Sequence, residues 1–134
     1  MDNSRLILTN RPENLRLLLD FVHKWARERS LPADRLQSLE VAAGMIFRHL
    51  VDYAYQPGEP GFITVALAEK GPGLRLVFED DAGPSGPPES RPGNPKAGEP
   101  HNPAPHLNGL PHLVESLIYY RTADRKNRLV VFLN

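Results

Sequence analysis

The stretch "LPADRLQSLEVAAGMIFRHLVDYAYQPGEPGFITVAL", Leu31 to Leu67, contains the change of period on which the fold turns. In its first half Leu36, Leu39, Ala43, Ile46, Phe47, Leu50 and Ala54 recur at helical spacing and make one continuous apolar face. Pro32 sits near the first turn, where a missing N–H costs little. Pro57, Pro60 and the two glycines of "YQPGEPG" then leave no room for more helix. In "FITVALA" the period drops to two, with Ile63, Val65 and Leu67 on one side. A long helix therefore turns sharply into a strand.

Upstream, "SRLILTN" reads as a short strand, with Asn10 as a helix cap and Pro12 in the first turn. Leu15, Leu18, Leu19, Val22 and Ala26 form the apolar stripe of a first helix. Downstream, "EKGPG" is a hairpin turn, and "LRLVFE" alternates through Leu74, Leu76 and Phe78. At "EDDAGPSGPP", Glu79 to Pro88, the chain changes character. No period exists from Ala82 to Pro105, and that segment with Pro111 holds 9 of the 14 prolines. A mobile loop is expected there. "GLPHLVESLI", Gly109 to Ile118, reads as a short apolar helix. "YYRTADRKNRLVVFL" then closes the chain as a hairpin, with Leu129, Val131 and Leu133 on one face. The expected fold class is α+β, a two-layer sandwich of a mixed, mainly antiparallel sheet of four or five strands with three helices on one face. At 134 residues the chain is read as a single domain, 1–134.

Lys+Arg and Asp+Glu balance at 16 each, so no general field draws the chain to nucleic acid or to acidic membranes. The absence of cysteine excludes disulfides and thiolate metal sites and fits a reducing compartment. No run approaches the length of a membrane span, and the N-terminus lacks the apolar region of a signal peptide. A cytoplasmic protein is expected.

The order strand, helix, helix, strand, strand, loop, helix, hairpin resembles the GHKL (Bergerat-fold) ATPase superfamily, a histidine-kinase-like ATPase fold. Within it, the chain is most similar to the bacterial anti-sigma-factor serine kinases of partner-switching pathways. Three motifs carry the resemblance: the long helix ending in Ala54-Tyr55 before its Pro/Gly turn, the strand running into Asp81-Ala82-Gly83-Pro84, and the Gly109-Leu110 pair followed by a hairpin containing Asn127-Arg128-Leu129. The resemblance implies ATP and magnesium as cofactors and a Pro/Gly-rich mobile lid at about 82–107. It implies a sigma factor or an STAS-domain anti-sigma antagonist as partner. A homodimer is left open.

In that family the Asp of D-x-G accepts a hydrogen bond from the adenine amino group, and the Gly lets backbone approach the base. Asp81 and Gly83 occupy those positions. Read from the residues alone, the same tetrapeptide is a turn opening a linker, and both readings stay open. With Ala54-Tyr55 as anchor, the family's catalytic Glu falls on Met45 and its magnesium-binding Asn on His49. Tyr53 follows, and positions 45, 49 and 53 share one stripe of the helix. A thioether cannot act as a base, and imidazole is a poor exchange for a hard oxygen at magnesium. Met45 is read as a core filler and His49 as a partly buried, hydrogen-bonded histidine. Gly109 keeps one element of the phosphate-binding lid, while Pro111 removes a nearby N–H. His101, His106 and His112 have no ligand partners at metal spacing, so no metal site is assigned. Three functions follow: a regulator without catalysis and with weak or absent ATP binding; an active serine/threonine kinase, with Asp81, Gly83 and His49 as its pocket; or an α+β module whose likeness is coincidental. Whether the chain is an enzyme stays open.

Overall fold

The computed structural model describes residues 4–83 and 114–133. They form β1 (Arg5–Thr9), a short 3-10 turn (Pro12–Asn14), α1 (Leu15–Glu28), α2 (Ala33–His49) continuing as a π-helical turn (Leu50–Ala54), β2 (Phe62–Lys70), β3 (Gly73–Asp80), β4 (Val114–Arg121) and β5 (Asn127–Leu133). The strands make one five-stranded sheet in the order β1-β2-β3-β5-β4. Every pairing between neighbours is antiparallel. The architecture is the expected α+β sandwich, without the parallel pair that a mixed sheet would need among the described residues.

The core fills the gap between the helices and the inward row of each strand. Ile63, Val65 and Leu67 of β2 are buried, as are Leu74, Leu76 and Phe78 of β3 and Leu129, Val131 and Leu133 of β5. They meet Leu39, Ala43, Ile46, Phe47 and Leu50 of the second helical segment. From α1 come Leu18, Val22 and Ala26, joined by Trp25, which the apolar stripe had omitted. Trp25 is a member of the core cluster, and the Arg29 guanidinium lies 4.2 Å over its ring. Gly71 stands at φ +56°, in the left-handed region, so glycine is what the turn between β2 and β3 demands.

Three expectations need correction. Val114–Ile118 is strand, where a third helix was expected. A bulge between Val114 and Ser116 brings Val114 opposite Leu133 and Leu117 opposite Val131, so two residues three apart pack on the same face. That spacing imitates a helix. Second, the 3-10 turn has Arg11 at its N-cap position with no side-chain bond. Asn10 instead bonds across to the loop before β2, donating to the Glu59 carbonyl at 2.8 Å and accepting from the Gly61 N–H at 3.0 Å. Third, Met45 is only partly buried and stands outside the core cluster. All but Ala82 and Gly83 of the expected loop at 82–105 and of the expected lid, Gly109 and the start of the expected third helix lie outside the described residues. Among the described residues no helix is long and apolar enough to cross a membrane.

Candidate functional site

The end of β3 separates two adjacent carboxylates by the alternation of a strand. Asp80 follows Leu74, Leu76 and Phe78 on the inward row and is 2% exposed, whereas Asp81, one residue on, is exposed.

Asp81 is held on one oxygen. Its Oδ1 lies 2.7 Å from the Tyr55 hydroxyl and accepts the Phe62 N–H at 3.0 Å. The Tyr55 hydroxyl also lies 3.0 Å from the Phe62 carbonyl. It carries a single proton, and the charged acceptor is the stronger of the two. Tyr55 is 7% exposed; burial, then the hydrogen bond to Asp81 and the charges of Asp80 and Asp81, push its phenol far above the ordinary value. It is therefore a proton donor throughout the physiological range. The π-helical turn Leu50–Ala54 ends in extended backbone at Tyr55, which carries the ring across to β3. Gly61 lets the ring in: a Cβ there would stand 2.1 Å from Tyr55 Cε1 and 2.8 Å from Asp81 Oδ1.

Asp80 is held by β5. Its Oδ1 accepts from Asn127 Nδ2 at 2.8 Å and from the Ala82 N–H at 3.1 Å. Burial pushes its carboxyl up to about 6, while these two hydrogen bonds and the Arg121 charge oppose the rise and the neighbouring Asp81 adds to it.

Beside Asp81 opens a cavity of about 760 Å³, walled by Asn10, Arg11, Val51, Tyr55 and Phe62. Met45, His49, Tyr53 and Gly83 are not part of its wall. The α2 stripe and Asp81 are thus not gathered around this one cavity. His49 is 8% exposed and its ring lies 5.4 Å from that of Tyr53, which is 55% exposed. The two rings thus remain neighbours across the change from α- to π-helical winding after His49, with Tyr53 at the exposed end of the stripe. Gly83 is exposed, and its carbonyl lies 2.9 Å from Asn127 Nδ2.

Four residues that organise this site were not singled out from the sequence as site residues: Tyr55, Gly61, Asp80 and Asn127. A signal for two of them was present. Asp80 and Asn127 are polar residues in the inward register of otherwise apolar strands, and a polar group in such a row needs a partner. Nothing in sequence marks Gly61, whose constraint is a contact with residues 6 and 20 positions away.

Among the described residues no three His, Cys, Asp or Glu side chains come together to hold a metal. The donor set along α2 does not fit magnesium either. Met45 offers a thioether and His49 an imidazole lying tilted beside the Tyr53 ring, where the ion prefers hard oxygens. Asp81 fits an amino-group donor, as an exposed carboxylate held through Oδ1.

Residues 8–130 match a family described as the histidine kinase-like ATPase domain. No curated protein matches the chain significantly.

Proposed function

The chain belongs to the histidine kinase-like ATPase family, and from that premise we propose that it is a regulator acting by protein–protein binding, with a nucleotide pocket too altered for phosphoryl transfer. The carrying observation is the stripe of α2 where the resemblance places catalytic and magnesium-binding groups. It presents Met45 and His49, neither of which supplies a carboxylate base or a hard oxygen ligand. Phosphoryl transfer rests on positioning and charge neutralisation, so this loss removes the chemistry while leaving the fold able to bind. The resemblance to anti-sigma-factor kinases supplies the partner class, a sigma factor or an STAS-domain antagonist in a cytoplasmic partner-switching pathway of bacteria.

A second reading, an ATP-binding serine/threonine kinase, draws on Asp81. It is exposed at the end of β3 and pre-oriented by Tyr55 and the Phe62 N–H.

Calorimetry with ATP, with and without magnesium, separates the two. A ligand anchored mainly by its base gains little from its polyphosphate. The regulator therefore binds ATP no better than high micromolar, with little dependence on magnesium, and does not phosphorylate an STAS partner. A low-micromolar, magnesium-dependent site abolished by Asp81→Asn overturns the proposal and restores the kinase.

A further inference from the structure

Asn127 opens β5 on its inward side and is 2% exposed, in the same row as Leu129, Val131 and Leu133. An amide in that position needs partners for both ends. Its Oδ1 accepts from Arg121 Nη1 at 3.0 Å. Its Nδ2 donates to Asp80 Oδ1 at 2.8 Å and reaches the Gly83 carbonyl at 2.9 Å and the Ala82 carbonyl at 3.4 Å. The register makes this one polar row across three strands, Asp80 on β3 opposite Asn127 on β5 opposite Arg121 on β4. Asp80 completes the tie by accepting the Ala82 N–H. Ala82 and Gly83, the two residues that follow Asp81, are thus held from beneath by a buried amide and a buried carboxylate.

We propose that Asn127 is the positioning residue of the Asp81–Gly83 loop, that closure of the loop is favoured while the buried Asp80 holds its proton, and that Asn127 contributes most to closure once Asp80 ionises. The Asn127-Arg128-Leu129 motif thereby acquires a role at the far end of the site. The inference rests on the loop's own bonds and holds for a regulator and for a kinase alike.

The sign follows from linkage. Burial raises the Asp80 carboxyl to about 6, against the pull of the Asn127 and Ala82 donors. The charged groups facing it are Asp81, the residue just after its strand, and Arg121 on β4, with the Tyr55 phenol beyond the helical segment. Its partner on β2 is the apolar Ile63. Opening the loop admits water and returns the carboxyl toward the ordinary value of 3.8. The closed loop therefore binds the proton more tightly than the open one. Closure is favoured below about pH 4 and loses that advantage as the pH rises through about 6.

Hydrogen exchange by NMR on the full chain, corrected for intrinsic rates, reads this at two protons, the Ala82 amide and the Asn127 side-chain amide. Protection in the wild type should fall roughly tenfold between pH 5 and pH 7.5. In Asp80→Asn it should be flat. Asn127→Ala removes a donor to the ionised carboxylate and should move the Ala82 midpoint to higher pH; Arg121→Gln should do the same with Asn127 in place. A residue that merely fills space would lower protection equally at every pH. A flat wild-type profile, or a uniform loss in Asn127→Ala with an unmoved midpoint, overturns the proposal. Should Asn127→Ala fail to fold, the Arg121→Gln midpoint decides: unmoved, it overturns the proposal, and raised, it supports it.

Discussion

Gly61→Ala probes the contact that builds the site. A methyl at position 61 would stand 2.1 Å from Tyr55 Cε1, 2.6 Å from Cζ and 2.8 Å from Asp81 Oδ1. No real Cβ tolerates such distances, so the Tyr55 ring has to move. The ring is buried and cannot move without pulling its hydroxyl off Asp81. Two costs then combine: overpacking at about 1–3 kcal/mol and a hydrogen bond to a charged group at about 1.5–3 kcal/mol. Part of the second is regained because Asp81 is exposed and water replaces the phenol. A net loss of about 3 kcal/mol follows, roughly a 10 °C fall in Tm for a domain of this size. Urea titration of the wild type, Gly61→Ala, Tyr55→Ala and the double variant closes a thermodynamic cycle. With the ring gone the methyl has space, so Gly61→Ala in the Tyr55→Ala background should cost well under about 1 kcal/mol, a strongly non-additive pair. A single-variant cost below about 0.5 kcal/mol, or additive losses in the double variant, would refute the contact-based reasoning.

Two further outcomes are expected. Asp80 has a carboxyl raised from 3.8 to about 6 in the folded chain, so the native state holds that proton more tightly than the unfolded one. Its contribution to stability is full below about pH 4, is lost as the pH climbs through about 6, and totals about 3 kcal/mol at roughly 1.4 kcal/mol per pH unit. The difference between wild type and Asp80→Asn across denaturant titrations at several pH values isolates it, and an opposite slope would refute it. Met45→Ala should cost about 1 kcal/mol, below the 2–5 kcal/mol of a fully buried methionine, since Met45 is partly exposed. A loss above about 3 kcal/mol in urea would return Met45 to the core.

The sequence by itself determined the layers. Period-3.6 stripes through Leu18, Val22, Leu39, Ile46 and Phe47, and period-2 rows through Ile63, Val65, Leu74 and Leu76, each have one face to bury, and helices over one face of a sheet satisfy them all. Turn chemistry at "YQPGEPG" fixed where the period changes, and at "EKGPG" where the hairpin reverses. The exposed Asp81 at a strand end was legible for the same reason, as alternation sets the direction of each side chain. Tertiary structure alone decided what depends on a neighbour far along the chain. The bulge at Val114/Ser116 exists only against β5, so a helix-like spacing became strand. The π-helical turn Leu50–Ala54 leads into Tyr55, whose hydroxyl finds its partner Asp81 26 positions along the chain. Gly61 is constrained by a ring and a carboxylate that meet only after the sheet forms. The tie of Asp80 to Asn127 spans 47 positions. Local periodicity records which face of each element is apolar, but a buried polar pair is specified by register between strands, and register is a property of the assembled sheet.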